Sequence, residues 1–242
     1  MRRFHQRFHQ RFHQGSYQKL LWLAFLGSLS IHAAPTSQTP LIPINIASSL
    51  SHTRLSQQIE QQLSSAYLAL GYQLIVHRLP AGRSLRMANQ GEFDGELFRI
   101  SAAAAQFPQL IAVPYPLARI QLHAFVLADP SKDWQQWQQN PQLKVAYVRG
   151  FRLAEQYPFA GSRIAVNTVQ QAAQLLAQQK ADLLLEDNSS IETLQLIWPR
   201  LTPLPPVLAE AQLFHFLHKK HQSLIPALAT QLASAEQVQS TR

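Results

Sequence analysis

Between Leu41 and Val76 the hydrophobic pattern changes period twice, and this limits the folds open to the chain. Leu41 to Ala47 (LIPINIA) reads as a short apolar strand. From Arg54 the period lengthens. Leu55, Ile59, Leu63, Tyr67 and Leu70 recur at spacings of 4, 4, 4 and 3, which is one buried helical face. Thr53 suits the N-cap, and Gly71 suits the residue just past the last turn. Tyr72 to Val76 (YQLIV) returns to strand. Two strands flanking one helix make a βαβ unit, so the sheet is expected to contain parallel pairs.

The alternation continues. Gly82 and Gly91 punctuate a short helix from about Arg83 to Asn89. Short strands are expected at Glu96 to Ile100 and at Leu110 to Val113, the latter closed by Pro114 and Pro116. Leu122 to Leu127, Leu143 to Val148, Arg163 to Val166 and Leu183 to Leu185 read as further strands. Helices are expected at Thr168 to Gln179, Ser189 to Ile197 and Leu224 to Leu232. Pro203, Pro205 and Pro206 make a stiff extended crossing before a strand at Leu213 to Leu217. Two α/β blocks result, at residues 34–120 and 121–205. The tail from 206 to 242 is assigned to the first.

The formal charge of +8 suggests nucleic acid until it is located. Arg2, Arg3, Arg7, Arg11 and Lys19 precede residue 34 with no acid among them. The remainder carries 16 basic against 13 acidic residues, too little and too dispersed for a nucleic-acid face. The basic start is followed by the uncharged run Leu20 to Ile31 and then by Ala33 and Ala34. That order is a signal peptide cleaved after Ala33, which places the mature protein in the periplasm. The run is short of the roughly 20 residues a membrane span needs. The RFHQ repeat at Arg3 to Gln14 lies in the discarded segment, where only positive charge is required. Absence of cysteine excludes disulfide scaffolds, thiol nucleophiles and cysteine zinc sites.

Several stretches, in order, resemble a known family. They are the LGY exit of the first helix, GEFDGELFR at Gly91 to Arg99 and VPYP at Val113 to Pro116. KVAYVRG at Lys144 to Gly150, KADLLLEDN at Lys180 to Asn188 and FHFLHKKHQSLIPAL at Phe214 to Leu228 follow. Together they resemble the exported solute-binding proteins of family 3, which includes amino-acid receptors of ATP-driven importers, in a divergent proteobacterial branch. The resemblance spans residues 41–235. It implies a two-lobe type II periplasmic binding fold, with a mixed sheet in each lobe and two hinge crossings, near Ala118 to Ala124 and Val207 to Phe216. It further implies a small-molecule ligand held between the lobes, a monomer, no cofactor, and delivery to an inner-membrane permease or a sensor. One departure is visible. Amino-acid receptors of the family carry an arginine in a TxxR segment, and the aligned stretch here is Ser101 to Ala105, without one.

The candidate ligand-binding residues are Arg83, Arg99, Tyr115, Arg149, Gly150, Phe151 and Asp187. Arg83 opens a helix, where a guanidinium and free N–H groups both address an anion; the alternative is a solvated surface arginine. Arg99 ends a strand, the side of an open α/β sheet where ligands bind; an ion pair with Glu96 or Asp94 is the alternative. Tyr115, between two prolines, offers an aromatic wall or packs on the hinge. Arg149-Gly150-Phe151-Arg152 offers two guanidiniums, a ring and a glycine turn where backbone can approach a ligand closely. Glu186 and Asp187 end one strand and should point to opposite faces. In the resemblance Asp187 meets a ligand amino group; capping the next helix is the alternative. The family counterpart of Asp182 ties a turn. His215, His218 and His221 recur every third residue, but Lys219 and Lys220 beside them disfavour a metal. Enzyme signatures such as GxSxG, HExxH and phosphate loops are missing. On the resemblance, the chain is read as a binding protein. A cyclohexadienyl dehydratase-like enzyme on the same scaffold is the alternative, with Glu186 as its acid.

Overall fold

A computed structural model describes residues 40–50, 53–127 and 133–240. The signal segment, its cleavage point and the RFHQ repeat lie outside the described residues. The strands are β1 (Ile42–Ser49), β2 (Tyr72–Leu79), β3 (Gly95–Ile100), β4 (Leu110–Leu127), β5 (Lys144–Val148), β6 (Ser162–Val166), β7 (Leu183–Asp187) and β8 (Leu201–His218). The helices are α1 (Arg54–Ala69), α2 (Ala81–Gln90), α3 (Ser101–Ala104), α4 (Arg152–Gln156), α5 (Val169–Ala177), α6 (Ile191–Gln195) and α7 (Ile225–Ser240). None of these helices is long and apolar enough to cross a membrane.

Local chemistry sets the first unit. Thr53 caps α1, its hydroxyl oxygen accepting the Ser56 N–H at 3.1 Å, while the Ser56 hydroxyl donates back to the Thr53 carbonyl at 2.8 Å. Ile59, Leu63 and Tyr67 bury the expected stripe, and Gly71 leaves the helix at φ +83°. β1 then pairs parallel with β2, Ile42 opposite Tyr72.

The sheet order is β2-β1-β3-β8-β4-β7-β5-β6. At one end β1 lies parallel between β2 and β3, and β3 meets β8 antiparallel. At the other end β5 lies parallel between β6 and β7, and β7 meets β4 antiparallel. Each lobe therefore carries a mixed sheet. β4 and β8 are common to both, antiparallel from Leu110 opposite His218 to Leu127 opposite Leu201.

This corrects one expectation. The separate strands expected at Leu110–Val113 and Leu122–Leu127 are a single 18-residue strand that runs through Pro114 and Pro116. The register shifts on either side of Pro116, and such bulges let a strand hold residues that donate no ladder hydrogen bond. β8 likewise runs through Pro203, Pro205 and Pro206. The two crossings are thus continuous strands joined by their own ladder. Each lobe has its own core. Ile44, Ile59, Leu63, Tyr67, Leu97 and Val113 gather in one, with Leu228 and Leu232 of α7 fully buried among them. Phe125, Ala146, Ala172, Leu176, Leu184 and Leu201 gather in the other.

Candidate ligand-binding site

A cavity of about 220 Å³ lies between the lobes, at the carboxyl ends of the parallel strands. Thr53, Ala81, Phe98 and Arg99 line it from the first lobe. Gly150, Phe151, Thr168, Glu186 and Asp187 line it from the second, and Ile120 and Leu213 of the crossing strands complete it. The lobes touch at its rim. A Cβ on Gly150 would sit 3.0 Å from the Ala81 Cβ, and Arg152 Nη2 donates to Gln106 Oε1 at 3.1 Å. Phe151 packs against the cores of both lobes.

The first-lobe wall centres on Arg99. Its Nη2 lies 2.5 Å from Glu96 Oε1 and donates to the Ser84 hydroxyl at 2.9 Å. Ser84 in turn donates to Glu96 Oε1 at 3.2 Å. Glu96 is wholly buried. Burial raises its carboxyl to about 7, against the opposing pull of the Arg99 guanidinium and the Ser84 hydrogen bond. Glu96 Oε2 and Arg99 Nε are buried without a hydrogen-bond partner among the described residues.

The second-lobe wall is acidic. Glu186 is 6% exposed. Its Oε1 accepts the Ser190 hydroxyl at 3.3 Å and the Asp187 N–H at 3.2 Å. Burial, then the charge of Asp187, hold its pKa well above the ordinary carboxyl range. Asp187 Oδ1 caps the turn that follows β7, accepting the Ser189 N–H at 2.8 Å and the Ser189 hydroxyl. Both carboxylates line the cavity, contrary to the opposite-face expectation, because β7 ends at Asp187 and strict alternation ends with it.

The structure brings Arg99, Gly150, Phe151 and Asp187 together around this cavity. Arg83 and Arg149 stand exposed outside it, and Tyr115 packs on the first-lobe core. Arg83 is turned outward because its neighbours Ser84 and Leu85 take the buried face of α2. The turn at Gly150 has φ +86°, but its N–H donates to Glu155 Oε1 at 2.6 Å, so that amide is engaged within the chain. Sequence reasoning weighs Glu96 only as an ion-pair partner and passes over Ser84, while Arg152, named there with the Gly150 turn, does line the cavity. The i,i+3 spacing of Glu96 and Arg99 was the available signal. Asp182 ties a turn, its carboxylate accepting the Lys144 N–H at 2.9 Å. The three histidines diverge. His215 is buried in the core, while His221 meets Asp94 at 2.7 Å. Among the described residues no three His, Asp or Glu side chains are grouped to hold a metal.

No family model matches the chain. A protein of Shewanella oneidensis, described as uncharacterized, is 27% identical over 183 residues, 71% of this chain and 68% of that one. Among solved structures, Tv2483 bound to L-arginine is similar with a TM-score of 0.68 at 15% identity, over 82% of this chain and 86% of its own. The substrate-binding protein of an amino acid ABC transporter gives 0.65 at 12%, over 81% and 94%. The ancestral amino acid-binding protein AncCDT-1, a precursor of cyclohexadienyl dehydratase, gives 0.63 at 12%, over 81% and 89%. The fold is that of the two-lobe periplasmic binding proteins. In such a fold the interlobe cleft is where lobes close on a ligand. Here the cavity occupies that place, and α3 contains no arginine.

Proposed function

We propose that the protein is an exported solute receptor of the family 3 type, in a divergent proteobacterial branch. It captures a small polar or charged metabolite between its lobes, for an ABC importer or a sensor. The lobes are residues 34–120 with 206–242, and residues 121–205. The protein acts in the periplasm as a monomer, after cleavage behind Ala33. The observation that carries this reading is the cavity, which draws Arg99 from one lobe and Asp187 from the other. A ligand bridging the two is held fully only when the lobes close, so binding energy and closure are the same event.

The test is titration calorimetry of the purified protein with whichever metabolite stabilises it in a thermal-shift screen. Arg99→Ala and Asp187→Ala should each weaken binding by roughly ten- to a hundredfold, the loss of one charge-assisted hydrogen bond. Arg200→Ala, exposed and outside the cavity, should leave it unchanged. Unaltered affinity in both cavity variants would move the site elsewhere. Glu186 supports a second reading, since a buried carboxyl beside a cavity, its pKa pushed upward by burial, is the kind of group a dehydratase acid requires. Turnover of a cyclohexadienyl acid, abolished in Glu186→Gln, would favour it over the receptor.

A further inference from the structure

The formally charged side chains lining the cavity are two arginines and two carboxylates, and they are not matched to each other. Arg99 is paired at 2.5 Å with Glu96, which is buried behind it. Arg152 is paired at 3.0 Å with Glu155. Each cavity cation is thus neutralised by a carboxylate from outside the lining. Glu186 and Asp187 lie side by side, and neither meets a lysine, arginine or histidine among the described residues. Their partners are Ser189, Ser190 and the Asp187 N–H, which are neutral donors. The first turn of α5 also borders the cavity, through Thr168 and Val169. A helix N-terminus amounts to roughly half a positive charge, so it greets an acceptor oxygen without offsetting a full negative one.

Resting on the receptor reading, we infer that the cavity selects a ligand of net positive charge. An ammonium or guanidinium sits against Glu186 and Asp187, and a neutral acceptor such as a hydroxyl or amide carbonyl faces Arg99. A ligand carboxylate is not required. Arg99 has its counter-ion within the chain, so a second carboxylate would bring a surplus negative charge into a confined site. A cation supplies what the acidic wall lacks.

The experiment uses the purified exported protein and seven probes, followed by thermal shift and calorimetry. Putrescine, agmatine and L-argininamide are cations. L-glutamine and L-leucine are zwitterions. Succinate and L-malate are dianions. Stabilisation is expected from cations alone. Asp187→Asn and Glu186→Gln should each lower the affinity of the bound cation about ten- to a hundredfold. Glu96→Gln and Glu155→Gln, which strip one counter-ion each, should gain succinate binding that the native protein lacks, giving two independent variants should one fail to fold. Binding of zwitterions or dianions to the native protein as tightly as cations would overturn the charge selection and leave the receptor reading standing. No shift from any of the three cations would overturn the charge selection, whereas the receptor reading falls only if the wider metabolite screen is also silent.

Discussion

Tyr67 and His215 are 148 positions apart in sequence, yet they satisfy one another in the core of the first lobe. The Tyr67 hydroxyl donates to His215 Nε2 at 2.7 Å, and His215 Nδ1–H donates to the Leu97 carbonyl at 3.0 Å. A neutral imidazole has one donor and one acceptor, and both are used. Burial holds the ring neutral and lowers its pKa to about 4. Tyr67→Phe removes the donor and leaves a buried acceptor unpaired, so it should cost about 1–3 kcal/mol. A urea titration with an unchanged midpoint would contradict that. Glu96 has the opposite sign. Its carboxyl lies at about 7 in the folded chain against an ordinary value of 4.5, so the folded state binds its proton more tightly. Its contribution to stability is full below 4.5 and is lost as pH rises to about 7. The stability of the native protein minus that of Glu96→Gln should therefore fall across that window, by on the order of 3 kcal/mol. A difference that is flat between pH 4.5 and 7 would show that Glu96 ionises normally.

Among the elements, β3 and β8 are packed with no slack at Gly95. A Cβ there would fall 2.1 Å from the Phe216 carbonyl oxygen and 3.1 Å from the Leu217 Cα, both backbone atoms of a strand that is itself paired on its other side to β4. Neither can give way without breaking a ladder. Gly71 is a different case. A Cβ there meets nothing within 4 Å, and only its φ of +83° resists substitution. Gly71→Ala should cost about 1 kcal/mol, the penalty of left-handed backbone. Gly95→Ala should cost about 3 kcal/mol or more, since rigid overpacking adds to the loss of pairing. Thermal melts of the two variants order them, and equal costs would mean that the central strands can separate without penalty.

At the scale of the molecule, Gly150 of one lobe lies against Ala81 of the other. With its φ of +86° and a would-be Cβ 3.0 Å from the Ala81 Cβ, Gly150 is the point where the lobes approach most tightly among the glycines that face across the cleft. Gly150→Ala should shift the protein toward an open form, because the methyl is tolerated only when the lobes part. Ligand affinity should drop several-fold, in proportion to the cost of closing. The radius of gyration by small-angle X-ray scattering should rise. Normal affinity with an unchanged radius would show that the rim has room to spare. β4 and β8 are the connection between the lobes. Their mutual ladder runs from lobe to lobe, and its register shifts between Leu122 and Ala124, where β4 begins to pair with β7.

Much of the element structure was legible because it is local. The spacing of Ile59, Leu63 and Tyr67, the Thr53 cap and the Gly71 exit need only the residues around them, and they determine α1 wherever it lies. The alternation of strands and helices restricted the chain to a parallel-containing α/β sheet in two blocks, and the two-lobe fold followed from the resemblance of its ordered motifs. The union of 110–113 with 122–127 into one strand was not legible. Prolines interrupt a ladder locally, and only the partner strand β8, about a hundred residues later, supplies the bulged register that admits them. The site divides in the same way. Residue type nominated Arg83, Arg99 and Arg149 alike, as arginines beside turns or strand ends. Only packing turned Arg83 and Arg149 to solvent and set Arg99 in the cavity wall with Glu96 behind it. The charge of a cavity is a sum over groups from distant segments. Which carboxylates are matched and which are not exists only once the lobes have met.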